Sequence, residues 1–255
     1  MHGIYAIAHL TVLEALRSRL LMILALFVAV MLFGSHFIQY LTLGEQAKIF
    51  KDLSLGLLSL FTCVLAIVLP IEQLQREKER NSLAAVLVKP VHRYCFVLGK
   101  YLGICFVLAL VSAAMTALVL AMMKWQGALF DANVPKASVM IFCQGLVLAS
   151  CTILIGILFT SPILSMVCGI SIYLMGNLLE PLHEWVEHAE GLVAKAVTLG
   201  ILYLVPHLEN LNMQDTVALG EAIPWTYVGE NVVYGLSYSA AVFLLSAIAF
   251  NQKDF

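Results

Sequence analysis

The stretch Gln73-Leu-Gln-Arg-Glu-Lys-Glu-Arg-Asn-Ser-Leu-Ala-Ala-Val-Leu-Val-Lys-Pro-Val-His-Arg93 stands between two uncharged apolar runs, 53–71 and 101–123. A run of roughly 20 apolar residues is long enough to cross the bilayer core of about 30 Å as a helix. The charged stretch therefore lies outside the hydrocarbon core, and the runs beside it are predicted to be neighbouring membrane spans. This arrangement indicates an all-α integral membrane protein.

The composition agrees with that class. Of 255 residues, 62% are hydrophobic and only 12% are charged, whereas a soluble domain has about 25% charged residues. No basic stripe with interleaved aromatic residues is present, so we expect no nucleic-acid partner.

Uncharged runs of spanning length recur along the chain. The longest, 137–179, exceeds one crossing, and Pro162 after Thr160-Ser161 is expected to divide it into two helices. Residues 4–19 are predicted to form an interfacial helix that leads into the first span. We predict six spans, at about 20–41, 53–72, 97–123, 137–160, 163–180 and 227–250.

Basic residues indicate the orientation, because short cytoplasmic loops are enriched in Lys and Arg. Six spans place both termini and the loop 73–96 on one side, with nine basic residues against five on the other. The expected cytoplasmic set is Arg17, Arg19, Arg76, Lys78, Arg80, Lys89, Arg93, Lys100 and Lys253; the opposite set is Lys48, Lys51, Lys124, Lys136 and Lys195. We therefore expect a multi-pass protein of the cytoplasmic (inner) membrane with both termini in the cytoplasm.

The exterior side then carries a long acidic segment, 181–224. Its apolar part, 192–205, is too short to cross, and Pro206 ends it. We interpret it as a surface-lying or re-entrant outer helix. The alternative, a seventh crossing, would move the C-terminus to the exterior.

The sequence contains only weak matches to motifs for nucleotide binding or metal binding. The chain has no P-loop, since Gly99-Lys100 is followed by Tyr101 and lacks the upstream glycine. In His183-Glu-Trp-Val-Glu187-His188, the spacing exceeds that of a zinc H-E-x-x-H motif by one residue, and the two histidines diverge around a helix. We expect Trp185 to be an interfacial anchor there. An intramembrane metalloenzyme using His183, Glu187 and His188 is one alternative function.

Polar residues inside the apolar runs are few. They are expected to form hydrogen bonds between helices or to lie near an interface, and none is a buried carboxylate or lysine that would mark a proton or ion path. These residues are His36, Gln39, Thr62, Gln144 and Asn177. The six cysteines lie in or beside apolar runs and are interpreted as small buried hydrophobic residues. An ATP-independent membrane carrier is a second alternative function.

Residues 82–88 are predicted to form a short helix within the charged stretch. Leu83, Val86 and Leu87 follow i, i+3, i+4 spacing, and Lys89-Pro90 ends the pattern. An apolar face with basic flanks is expected either to lie on anionic lipid or to dock into a groove of a soluble partner.

This stretch resembles a signature of ABC-2-type ABC transporter permeases. The similar elements are Glu77-Lys-Glu-Arg80, Leu87-Val-Lys-Pro90-Val-His-Arg93 and Val97-Leu-Gly-Lys-Tyr-Leu-Gly103. Ala15-Leu-Arg-Ser-Arg19 resembles the junction before the first span of that family. Pro206-His-Leu-Glu-Asn210 resembles an element of the subgroup that contains the permease of the nitrous-oxide-reductase maturation transporter.

The resemblance implies a permease that dimerises, with each copy resting on a separate ATP-binding cassette ATPase subunit. It places the coupling helix in the loop 73–96, although Asn81-Ser82-Leu83 lacks the Gly-Thr often found there. It implies ATP and Mg on the partner ATPase and no cofactor or catalysis on this chain. The implied ATPase interface consists of Glu79, Arg80, Ser82, Leu83, Val86, Leu87, Lys89, Pro90 and Arg93, and the implied exterior gate or dock for an exterior accessory protein consists of Trp185, Pro206, Glu209 and Asn210.

Overall fold

The structure is a computed structural model that describes residues 2–17, 20–41, 46–79, 93–126, 131–159, 161–177 and 205–252. All regular elements in these ranges are helical, as predicted. The helices are α1 (His2–Arg17), α2 (Leu20–Leu41), α3 (Gln46–Glu79), α4 (Arg93–Trp125), α5 (Asn133–Leu158), α6 (Pro162–Asn177), a 3-10 turn (Glu209–Leu211), α7 (Gln214–Leu219) and α8 (Trp225–Gln252).

Helix α5 forms the centre of the bundle. Within its most apolar window 83% of the residues are buried, against 28% for α8, and α3, α4, α6 and α8 all pack against it. Such a helix, apolar on every side, is expected only in a core that is surrounded by other helices. Helix α1 packs chiefly against α4, and α2 packs chiefly against α3.

Within the described ranges, four helices are long and apolar enough to cross a membrane: α3, α4, α5 and α8. The shorter apolar helices are α6 and the central part of α2. Large apolar side chains are exposed on the outside of the bundle, for example Phe33, Ile163 and Leu244. A soluble protein rarely exposes so many, whereas a bilayer solvates them.

The helices around the charged stretch are longer than hydropathy predicts. Helix α3 continues to Glu79, beyond the predicted span end at 72, and α4 begins at Arg93, before the predicted start at 97. Gln, Arg, Glu and Lys have high helix propensity, so a helix formed in the apolar run extends through them. The loop predicted over 73–96 is therefore helical at both ends.

Other boundaries lie close to their predictions. Helix α2 has the bounds of the first predicted span, and α6 begins at Pro162, where a break was expected. In the exterior segment, α7 ends at Gly220, whose φ of +79° is the left-handed conformation that favours glycine after a helix.

Candidate functional site

The first candidate site is a cluster where α1, α3 and α4 meet, beside the charged stretch. Lys100 on α4 is only 5% exposed, and its Nζ donates a hydrogen bond of 2.9 Å to the backbone carbonyl oxygen of Gln73 on α3. Gln73 is equally buried, and its Nε2 donates to the Thr11 carbonyl oxygen on α1 at 3.4 Å. These three residues define the root cluster, which links three helices through two backbone carbonyl groups.

The root cluster also depends on close helix packing. A Cβ added to Gly103 on α4 would lie 2.7 Å from the Thr11 Cβ and 3.0 Å from the Ala8 carbonyl oxygen on α1. Contacts that short force neighbouring atoms to move, so only glycine lets α1 approach this closely.

The end of α3 packs against the turn between α5 and α6. A Cβ on Gly156 would lie 2.8 Å from the Leu74 Cδ1, and a cavity of about 20 Å³ beside it is lined by Phe159 and Pro162. On the same turn of α3, Arg76 forms an ion pair with Glu72. The α5–α6 turn, the root cluster and the charged stretch thus lie at the same end of the bundle.

The second candidate site is at the opposite end, where the segment 205–224 folds back over the helices. We name this segment the exterior cap, after the side of the membrane on which the sequence predicts it. Gln214 Nε2 donates to the Asp52 carboxylate at 2.9 Å. Lys136 Nζ donates to the Ile223 carbonyl oxygen at 2.7 Å and lies 4.9 Å from the centre of the Trp225 ring. These contacts attach the exterior cap to α3, α5 and the start of α8.

A salt bridge beside the exterior cap joins α3 to the connection before α5. Lys51 Nζ lies 2.6 Å from Asp131 Oδ2, and both side chains are 19% exposed. Burial by itself raises the pKa of Asp131, but hydrogen bonds from Lys51 and the Asn133 N–H, with the charges of Lys51 and Lys136, outweigh it and hold the pKa below its ordinary value. Asp131 is therefore a stable anion at neutral pH.

The start of the exterior cap rests on the end of α6. The Leu208 N–H donates to the Gly176 carbonyl oxygen at 3.1 Å, and the His207 N–H donates to the Tyr234 hydroxyl at 3.0 Å. A Cβ on Gly176 would lie 2.8 Å from the Pro206 carbonyl oxygen. The cap is in direct backbone contact with the helix.

Polar groups inside the bundle pair with one another. Ser59 Oγ donates to Gln144 Oε1 at 3.4 Å, and Gln144 Nε2 donates to Asn177 Oδ1 at 3.1 Å. The predicted role of Gln144 and Asn177 in helix–helix hydrogen bonds is confirmed.

Comparison with known families agrees with this architecture. The family model described as ABC-2 family transporter protein matches residues 5–255. The chain belongs to the ABC-2 transporter family. It is a multi-pass membrane protein and the permease component of an ABC transporter. Permeases of this family are generally non-catalytic and generally work with a separate ATP-binding subunit. A comparison with individual curated proteins gives no match.

Most of the ATPase-interface residues predicted for this permease lie outside the described residues. Glu79 ends α3 and Arg93 begins α4. The residues between them that were assigned to the interface are Arg80, Ser82, Leu83, Val86, Leu87, Lys89 and Pro90, and none belongs to the described ranges.

The predicted exterior residues fall partly within the exterior cap. Pro206 is buried, Glu209 begins the 3-10 turn, and Asn210 is exposed, with its carbonyl oxygen accepting a hydrogen bond from the Tyr227 hydroxyl at 3.4 Å. Trp185 and the 183–188 motif are outside the described residues. In the part of the chain that the structure describes, no group of three or more His, Cys, Asp or Glu is arranged to hold a metal.

Sequence reasoning missed the root cluster of the permease and the residues that hold the exterior cap. Lys100 was identified only as a basic residue in the Leu-Gly-Lys motif, and its burial could not be read from neighbouring residues. The pairing of Lys51 with Asp131 could have been predicted from the sequence. Both residues lie at the ends of apolar runs, and their opposite charges meet when these ends are on the same side of the membrane.

Proposed function

We propose that this permease converts ATP hydrolysis by a separate ATPase subunit into movement of its helices, and that residues 80–92 receive the force. The observation that carries the proposal is the course of α3 and α4. Both helices lead from the ends of this stretch into the core, where each packs against the central helix α5. Force applied between their ends therefore has a direct path into the bundle.

The proposed coupling helix comprises residues 80–88, with Leu83, Val86 and Leu87 forming the face that enters a groove on the ATPase subunit. Glu79, Arg80, Ser82, Lys89, Pro90 and Arg93 complete the proposed interface. An amphipathic helix docked in a groove buries its i, i+3, i+4 anchors. The partner supplies ATP and Mg, and this chain supplies the helices that move.

The proposed assembly is a dimer of permeases in the inner membrane, with six spans per copy and both termini in the cytoplasm. Lys51 and Leu74, at opposite ends of α3, lie against Asp131 and Gly156 at the corresponding ends of α5, while Lys100 near the start of α4 contacts Gln73 near the end of α3. These contacts support an alternating direction along α3, α4 and α5. Helix α6 has 16 residues, about 24 Å at 1.5 Å per residue, so its crossing relies on residues up to 180. The subgroup proposed is that of the nitrous-oxide-reductase maturation permease.

On the exterior, the proposed gate or dock for an accessory protein includes Trp185, Pro206, Glu209 and Asn210. The contacts of the exterior cap with α3, α5 and α6 support this role. Movement of these helices would shift the cap, so the work would take the form of export or a change imposed on an exterior partner.

The test is substitution on the proposed apolar face. L83D and L87D each place a carboxylate in the groove, and we expect either change to lower ATPase co-purification about ten-fold or more, because a buried unpaired charge costs several kcal/mol. A85D is the matched control, since it adds the same charge on the opposite face of the predicted helix. Equal recovery of the ATPase subunit with L83D, L87D and A85D contradicts the proposed interface.

A further inference from the structure

We infer that Lys100 is the positioning residue that makes α3 and α4 move together when the ATPase subunit displaces the stretch between them. This inference rests on the proposed function. It concerns how force spreads from residues 80–92 into the bundle.

The contact between Lys100 and Gln73 lies near the ends of α3 and α4. Gln73 lies six residues before Glu79, and Lys100 lies seven residues after Arg93. At 1.5 Å per residue both are about 10 Å from the ends of the helices. The hydrogen bond from Lys100 to the Gln73 carbonyl oxygen therefore joins α3 to α4 close to Glu79 and Arg93, the described ends of the two helices.

The chemistry of the contact makes it strong. Lys100 is buried, and an ammonium group removed from water is costly unless it is hydrogen-bonded. Hydrogen bonds with a charged donor are about twice as strong as neutral ones. Sliding or separation of α3 and α4 at this level would break this buried hydrogen bond from a charged donor, so the two helices are held in register.

The acceptor lies at a weak point of α3. Pro70 is inside the helix, three residues before Gln73, and a proline lacks the N–H that would bond to the carbonyl of residue 66. The last turns of α3 therefore depend more than usual on contacts with other helices. Lys100 supplies one such contact, and the Gln73 side chain adds a second, to the Thr11 carbonyl oxygen of α1.

The root cluster also contains an unsatisfied group. Gln73 Oε1 is buried and has no hydrogen-bond partner among the described residues. A buried acceptor without a partner costs about 1–3 kcal/mol, which a different arrangement of the cluster can recover. In the group Ser59–Gln144–Asn177, in contrast, the three side chains form hydrogen bonds with one another, and Asn177 Nδ2 also donates to the Tyr173 carbonyl oxygen. We therefore assign the movement to the root cluster.

The experiment uses the complex of permease and ATPase subunit in lipid nanodiscs. Amide hydrogen exchange is measured without nucleotide and after trapping with ATP and vanadate. In the natural complex, trapping is expected to change exchange in α1 and in the exterior cap. In K100M, which keeps the length of the side chain but removes its donors, ATPase binding is expected to persist while both responses fall. The expected loss is about five-fold or more, the lower limit of a typical allosteric coupling.

Three variants sharpen the result. K100R keeps a cationic donor and is expected to restore both responses. K124M removes an exposed lysine at the other end of α4 and is expected to leave them unchanged. Q73M removes only the link to Thr11, so α1 is expected to lose its response while the exterior cap keeps it.

Two kinds of failure are distinguishable. If the natural complex shows no bound ATPase and no response to nucleotide, the proposed function fails. If the natural complex responds and K100M responds equally, the inference about Lys100 fails alone. Should K100M not fold, K100Q decides, because its shorter, neutral side chain lacks the ammonium donor, and full responses of α1 and the exterior cap in that variant overturn the inference.

Discussion

Gly103 has a steric role, because any side chain there would occupy space taken by Thr11 and by the Ala8 carbonyl oxygen. Two residues of the motif Val97-Leu-Gly-Lys-Tyr-Leu-Gly103 thus have separate structural roles. Lys100 donates a hydrogen bond to α3, and Gly103, which has no side chain, leaves the space that α1 occupies. The motif therefore holds α4 against α1 and α3, which explains its place at the start of a span.

We expect G103A to destabilise the protein by about 1–3 kcal/mol, the usual cost of adding atoms to a well-packed site. The backbone of α1 is one of the groups in contact, so a simple rotamer change does not relieve the clash. The apparent melting temperature of the purified protein measures the effect. G229A is the control, because nothing lies within 4 Å of a Cβ added at that helical position, and alanine is the better helix former. Equal or higher stability of G103A would contradict the close approach of α1.

The exterior cap is an element with little regular structure, held by side chains of its neighbours. Its 3-10 turn and α7 together span only a few residues, too short to be stable alone. Asn133 and Lys136 donate to the backbone carbonyl oxygens of Glu221 and Ile223. The conformation of the cap is therefore maintained from outside by α3, α5 and α8.

Loss of one of these donors is expected to loosen the cap. In K136M the charged hydrogen bond to Ile223 is absent, which is worth about 1.5–3 kcal/mol. Exchange of the amide hydrogens in the last residues of the cap should therefore accelerate about ten-fold or more. Hydrogen exchange with mass spectrometry is the measurement, and K124M, which alters an exposed lysine, is the control. Unchanged exchange in K136M would mean that Lys136 does not hold the cap.

Sequence patterns predicted the helices well and their contacts poorly. The apolar runs and Pro162 located α2 and the start of α6, because hydrophobic length and proline act locally. The extension of α3 to Glu79 was missed because the helix was predicted to end where the apolar run ends. Gln and Glu, which follow that run, favour continuation of the helix. The pairing of Lys100 with Gln73 joins residues 27 positions apart on different helices, and no local pattern encodes which carbonyl a buried lysine meets.

The chain as a whole has two ends of different construction. At one end the root cluster and an Arg76–Glu72 ion pair lie near the end of α3. At the other, several side chains clamp the exterior cap to three helices. The bundle is thus fixed at the end opposite the proposed input of force.

This polarity gives a prediction about topology. With both termini in the cytoplasm, a thiol-reactive, membrane-impermeant reagent should label E221C from the exterior of intact cells, because Glu221 is exposed in the cap. A fluorescent protein fused after Phe255 should fluoresce, as expected for a cytoplasmic C-terminus. The parent chain, whose Cys63, Cys143 and Cys151 are buried, is the labelling control. Protection of E221C in intact cells, or a C-terminal fusion found outside, would contradict the proposed orientation.

The hydrogen bonds of the exterior cap have an evolutionary consequence. Asn133, Lys136 and Tyr227 all bind the cap through its main-chain oxygens. Since every amino acid carries that oxygen, the exposed positions Asp215 and Glu221 are free to diverge without loss of the clamp. We expect relatives to vary most at those positions and least at the three donors, so that a lineage can acquire a new exterior partner while it keeps the same bundle.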